Sequence, residues 1–194
     1  MQRIIVFVVY TVGLAVAQDT CNLTMPTDPP PGECCDVIPI SPFVPMLLSK
    51  DCWKKYPRPS GSVMAIDPAF KRHDICYLEC VFSDNALLGA DLSLNVTAVR
   101  AKFVTTDTTL SPVLSVAVTT CLSSYSSLRD PTLECQSGAG EFTNCVARRV
   151  FTVCPAARWT ASTECDALRD QMTKCPTFPI KLWCSAHSRG NTKG

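Results

Sequence analysis

The sequence predicts an all-α fold: a compact, disulfide-stapled bundle of about six to eight helices around an apolar cavity, with an extended proline-rich N-terminal arm and a disulfide-tied C-terminal extension. Three observations predict it. Thirteen cysteines stand in 194 residues. Apolar residues recur every three or four positions in several segments after Asp67. Nine of the fifteen prolines fall between Pro26 and Pro59.

Arg3 is followed by an apolar run from Ile4 to Val16 that closes on Ala15-Val16-Ala17. This is the pattern of a cleaved secretion signal, so residues 1–17 read as a leader and residues 18–194 as one mature domain outside the cell. The run is too short to span about 30 Å of hydrocarbon, and none like it follows, so no membrane span is expected. Cysteines behind such a leader form disulfides rather than stay reduced. Their number is odd, which leaves one free or paired with another chain and keeps a homodimer open.

Charge excludes a further class. Without Arg3 the 18 basic residues become 17, equal to the 17 acidic ones. Lys54-Lys55, Lys71-Arg72 and Arg148-Arg149 are isolated pairs rather than a basic stripe, so no nucleic-acid partner is expected. The two histidines, His73 and His187, and the lack of any Cys-x-x-Cys leave no zinc-like ligand set, so no metal or cofactor is expected.

Within the mature chain, residues 18–60 form the arm, 61–155 the core region and 156–194 the extension. Proline fixes φ and removes an N–H, so the arm cannot hold a long helix and runs extended over the body. Cys34, Cys35 and Cys52 pin it there; adjacent Cys34 and Cys35 cannot easily bond each other and tie it in two places. Asp67-Pro68 then supplies an N-cap and a proline at the first helical position, opening a helix to about Phe82. Ile75, Leu78 and Phe82 share one side of it, Cys76 and Cys80 another. Asn95 caps a second helix to about Val104. Ser111-Pro112 opens a third, with Leu114, Val118, Cys121 and Tyr125 in register, although its β-branched residues leave a strand as the alternative. Gly138-Ala-Gly140 precedes a fourth, striped by Phe142, Val146, Val150 and Val153 beside Cys145 and Cys154. A fifth runs from about Thr163 to Lys174 and stops at Cys175-Pro176, leaving a tail with Phe178, Leu182 and Trp183. Asn22-Leu-Thr24 and Asn95-Val-Thr97 are sequons for N-glycosylation.

Catalytic patterns are sparse. His73-Asp74-Ile75-Cys76-Tyr77 is similar to the His-Asp-x-Cys context of the catalytic histidine in secreted phospholipases A2. That chemistry needs a glycine-rich calcium loop upstream, and the stretch from Gly61 to Phe70 holds a single glycine. A surface or capping role for His73 is the expectation. No Gly-x-Ser-x-Gly elbow, P-loop, His-Glu-x-x-His or dinucleotide fingerprint occurs, so no catalytic residue is assigned and an enzyme is not expected.

The spacing of six cysteines carries more. Cys52, 23 residues, Cys76, three, Cys80, 40, Cys121, 23, Cys145, eight and Cys154 form a ladder that resembles the insect odorant-binding protein pattern. Cys34-Cys35-x-x-x-Pro39, Cys154-Pro155 and the additional cysteines Cys21, Cys135, Cys165, Cys175 and Cys184 resemble the Plus-C subclass, over nearly the whole mature chain. The fourth-to-fifth interval is longer than in the basic family. The resemblance implies pairing of first with third, second with fifth and fourth with sixth, hence Cys52–Cys80, Cys76–Cys145 and Cys121–Cys154. It also implies an all-α carrier in sensillar lymph for small hydrophobic volatile ligands, with an olfactory receptor as downstream partner.

Candidate pocket residues are the apolar stripes: Ile75, Leu78, Phe82, Leu114, Val118, Phe142, Val146 and Val150, with Trp183 as a lid and Arg149 or Tyr125 to orient a ligand oxygen. Two alternatives remain beside a carrier: a disulfide-rich interaction or defence protein without a pocket, and a phospholipase-like hydrolase.

Overall fold

The computed structural model describes residue 21 and residues 31–37, 49–59 and 67–176. The leader, Asn22, Trp183 and Cys184 lie outside these residues, so the readings placed on them do too.

Seven α-helices and two 3₁₀ turns make up the described chain, with no strand among the described residues. Among the described residues of the proline-rich arm there are two short helices, α1 (Pro31–Cys34) and α2 (Lys50–Lys55). The body consists of α3 (Pro68–Asp84), α4 (Val96–Lys102), α5 (Ser111–Ser124), α6 (Ala139–Thr152) and α7 (Thr163–Lys174). Among the described residues no helix is long and apolar enough to cross a membrane.

Local chemistry explains these boundaries. The Asp67 carboxylate accepts from the Ala69 amide at 2.8 Å, with Pro68 next, where its missing N–H costs nothing. The side chains of Asn95 and Ser162 accept from the amides of Ala98 at 3.1 Å and Cys165 at 3.2 Å, opening α4 and α7. In the turn before α5, the Asp107 carboxylate takes the Thr109 hydroxyl at 2.6 Å and the amides of Thr109 and Leu110 at 2.9 Å, and Arg158 lies on its other oxygen. The Thr109 hydroxyl first, then the Leu110 amide, lower the Asp107 pKa to about 2. The segment from Val113 to Thr120 is helical despite its β-branched residues. Leu110, Leu114, Ala117, Val118 and Cys121 recur there at helical spacing, and all are buried.

α6 is the central element, packed against α3, α5 and α7. Ala139, Phe142, Thr143, Val146, Ala147 and Val150 give it a continuous buried stripe. Its first turn meets α3 closely, because a Cβ built on Gly140 would lie 2.5 Å from Ile75 Cδ1 and 3.0 Å from Ile75 Cα. Gly140→Ala is therefore expected to destabilise the fold by about 1–3 kcal/mol, despite a helix-propensity gain of about 1 kcal/mol. Urea unfolding checks this, and an unchanged or raised midpoint would show that α3 can recede freely. At the far end of α6, Arg148 donates to the carbonyls of Met172 at 2.7 Å and Cys175 at 3.0 Å, satisfying the C-terminus of α7.

Six disulfides bind the described cysteines: Cys21–Cys175, Cys34–Cys165, Cys35–Cys154, Cys52–Cys80, Cys76–Cys135 and Cys121–Cys145. Cys52–Cys80 is the pair expected from sequence. Cys76–Cys145 and Cys121–Cys154 are corrected, because Cys145 bonds Cys121 and Cys154 bonds Cys35. The physical reason is the length of α6. From Cys145 the helix runs on to Thr152, about 10 Å further along its axis, and Cys154 lies beyond its end, too far for both to face the same neighbours. Cys145 lies within α6, beside Cys121 of α5, whereas Cys154 follows the C-terminal end of α6. There the arm lies against the chain near Trp159, with the Asp36 amide donating to the Arg158 carbonyl at 2.9 Å. Cys135, in the loop before α6, takes Cys76.

Candidate functional site

The interior between α3, α5 and α6 is the candidate site. Phe82, Leu114, Val118, Phe142, Val146 and Val150 meet there in one buried cluster. Ile75 does not join them: it belongs to a separate small cluster with Cys76 and Cys135, flanked by Tyr56 and Leu133. Leu78 is buried but lies in neither cluster. Arg149 is exposed and Tyr125 half-buried against the main cluster.

Residues without a helical stripe complete the interior. Phe103 follows the end of α4, yet its ring lies 5.0 Å from that of Phe142 and 6.0 Å from that of Phe82, with Phe82 and Phe142 6.2 Å apart. All three contacts are tilted or edge-to-face, the favoured geometries for aromatic rings. Val99, Leu110 and Phe151 are also buried here. Phe103 sits past a helix end, where no periodicity marks it, and Leu110 sits just before Ser111-Pro112, the start that the sequence predicts for its helix. The available signal was their size and apolarity in the loop between two capped helices.

This interior offers dispersion and hydrophobic contact rather than acid–base chemistry. Among the described residues its fully buried hydroxyl is that of Thr143, which donates to the Ala139 carbonyl at 2.8 Å. His73 is elsewhere, and its expected surface role is corrected. It is 7% exposed, enclosed by Tyr77, Trp53 and Phe70 at ring separations of 5.8, 5.6 and 6.1 Å, with the Asp74 carboxylate 4.0 Å from Nε2. α2, not foreseen from sequence, delivers Trp53 to this cluster. The two groups of three potential metal ligands among the described residues each consist of a disulfide and one carboxylate. Thiolates tied up in disulfides cannot ligate a metal as the free groups would.

At the first turn of α6, Glu141 has one carboxylate oxygen buried without a hydrogen-bond partner among the described residues. Burial raises its pKa above the ordinary 4.5. The folded state therefore holds the Glu141 proton to higher pH than the unfolded chain does, and this group's contribution to stability is lost as pH rises through that range. Glu141→Gln is expected to stabilise the fold at neutral pH by about 1 kcal/mol. The gain should disappear below pH 4.5, where Glu141 is neutral in both states. Urea midpoints at several pH values check this, and an equal gain at every pH would assign it to something other than ionisation.

No family profile matches this chain, and comparison with curated proteins finds no match.

Proposed function

We propose that the chain is a secreted carrier that reversibly binds small hydrophobic ligands, an odorant-binding protein of the Plus-C type rather than an enzyme. The observation that supports it is the order of three bridges. Taking Cys52, Cys76, Cys80, Cys121, Cys135 and Cys145 in sequence, the first bonds the third, the second the fifth and the fourth the sixth. This is the order that the odorant-binding resemblance implies, carried by Cys135 and Cys145 in the last two places. The other three bridges join the arm to the chain after α6. They use cysteines added before and after the six, as the Plus-C resemblance implies.

The ligand-facing wall in this reading is the apolar interior around Phe82, Phe103 and Phe142. Transfer of a hydrocarbon ligand from water into it contributes roughly 0.8 kcal/mol per methylene. Association costs leave a net affinity of about micromolar, suited to a carrier that must also release.

Competitive displacement of N-phenyl-1-naphthylamine from the oxidised mature protein tests the proposal. Saturable probe binding, reversed by some aliphatic or aromatic volatiles and not by others, is the expected result. A folded sample that takes up no probe would overturn the carrier reading and turn attention to macromolecular partners.

A further inference from the structure

We infer that Asn95 carries an N-linked glycan, a modification that rests on the secretory route proposed above. Asn95, Val96 and Thr97 are all exposed, so the whole Asn-Val-Thr sequon stands on the surface. The rest of Asn95 is committed to the fold. Its amide donates to the Leu87 carbonyl at 2.8 Å, its carbonyl accepts from the Val99 amide at 2.8 Å, and its side-chain Oδ1 accepts from the Ala98 amide at 3.1 Å. Nδ2 makes no hydrogen bond among the described residues. The side chain thus divides its two polar atoms: Oδ1 opens α4, while Nδ2 is left at the surface. N-glycosylation consumes Nδ2 alone. Nδ2 attacks C1 of a polyprenyl-pyrophosphate-linked oligosaccharide, the Nδ2–C1 bond forms, the bond from C1 to the pyrophosphate oxygen breaks, and one amide proton is released as the lipid pyrophosphate departs. The product is still an amide with its Oδ1 acceptor, so the modified residue keeps capping α4.

The surroundings suit a glycan. Leu92, three residues before Asn95, and Val96, directly after it, are 55% and 44% exposed, unusually bare for large apolar residues. Leu92 ends a tight loop with a positive φ of 63°, where the Leu92 amide donates to the Gly89 carbonyl at 3.0 Å. That loop turns its apolar side chain outward beside the sequon. A glycan at this point covers apolar surface that would otherwise favour association.

The test expresses the full chain, leader included, in a human secretory cell line and treats protein from medium and cells with PNGase F, which converts a glycosylated Asn to Asp. Wild type in the medium should give a peptide deamidated at residue 95, and Thr97→Ser should retain it. Thr97→Ala should lose the modification while still folding, since it leaves the Asn95 Oδ1 in place at the cap. Protein in the medium with Asn95 unmodified overturns the glycan and leaves secretion standing. Protein retained in the cytosol with Asn95 unmodified overturns both.

Discussion

Replacing Cys76 and Cys135 together by alanine is expected to destabilise the fold by about 4 kcal/mol, as loop-closure entropy predicts for a bridge spanning 59 residues. Removing Cys121 and Cys145, 24 residues apart, should cost less, about 3 kcal/mol. The ordering follows from the unfolded chain: the longer the loop a bridge closes, the more conformations it denies that chain. Alanine is the right replacement because Cys76, Cys121 and Cys135 are buried, and a serine hydroxyl there would add a desolvation penalty of its own. Urea unfolding of the two double variants measures the difference. A peptide map without reduction checks the premise, since it should yield Cys76 joined to Cys135 and Cys121 joined to Cys145. A peptide joining Cys76 to Cys145 would sink the pairing and the order drawn from it.

Phe142→Ala is the core substitution expected to cost most, about 3–5 kcal/mol. The ring is fully buried and touches the rings of Phe82 and Phe103, so its removal strips two aromatic contacts and opens a void where three helices converge. Because the bridges hold α5 to α6 and α3 to the loop before α6, the walls cannot simply close over that void. Phe142→Leu, which retains most of the volume, should lose clearly less. If the alanine variant lost under about 1 kcal/mol, the interior would be loosely packed around Phe142 rather than built on it.

Capped, strongly periodic elements were legible in the sequence. Asp67-Pro68 and the run from Thr163 to Lys174 mark α3 and α7 through short-range chemistry that any neighbours would respect. α1 and α2 were not legible, because four and six residues among prolines carry too little periodicity, and α2 is tied to α3 by the Cys52–Cys80 bridge and by the Trp53 ring contacts. Of the three cysteine pairs that the resemblance implied, one, Cys52–Cys80, was legible. The eight-residue gap from Cys145 to Cys154 fitted the ladder, but the structure bonds Cys154 to Cys35 and brings Cys135, outside that ladder, to Cys76. The candidate site divided in the same way. Stripes on α5 and α6 led to its walls, whereas Phe103 and Leu110 enter from helix ends. Ile75 has the right spacing on α3 but turns to the Cys76–Cys135 side instead.

The three bridges that reach back to the arm have a further consequence. Cys21–Cys175, Cys34–Cys165 and Cys35–Cys154 enclose every residue between Cys35 and Cys154 within three concentric covalent rings. Cutting any one peptide bond in that span opens a ring without dividing the molecule. A protease that nicks a surface loop there therefore makes a two-chain protein of undiminished covalent integrity, and only reduction releases the pieces.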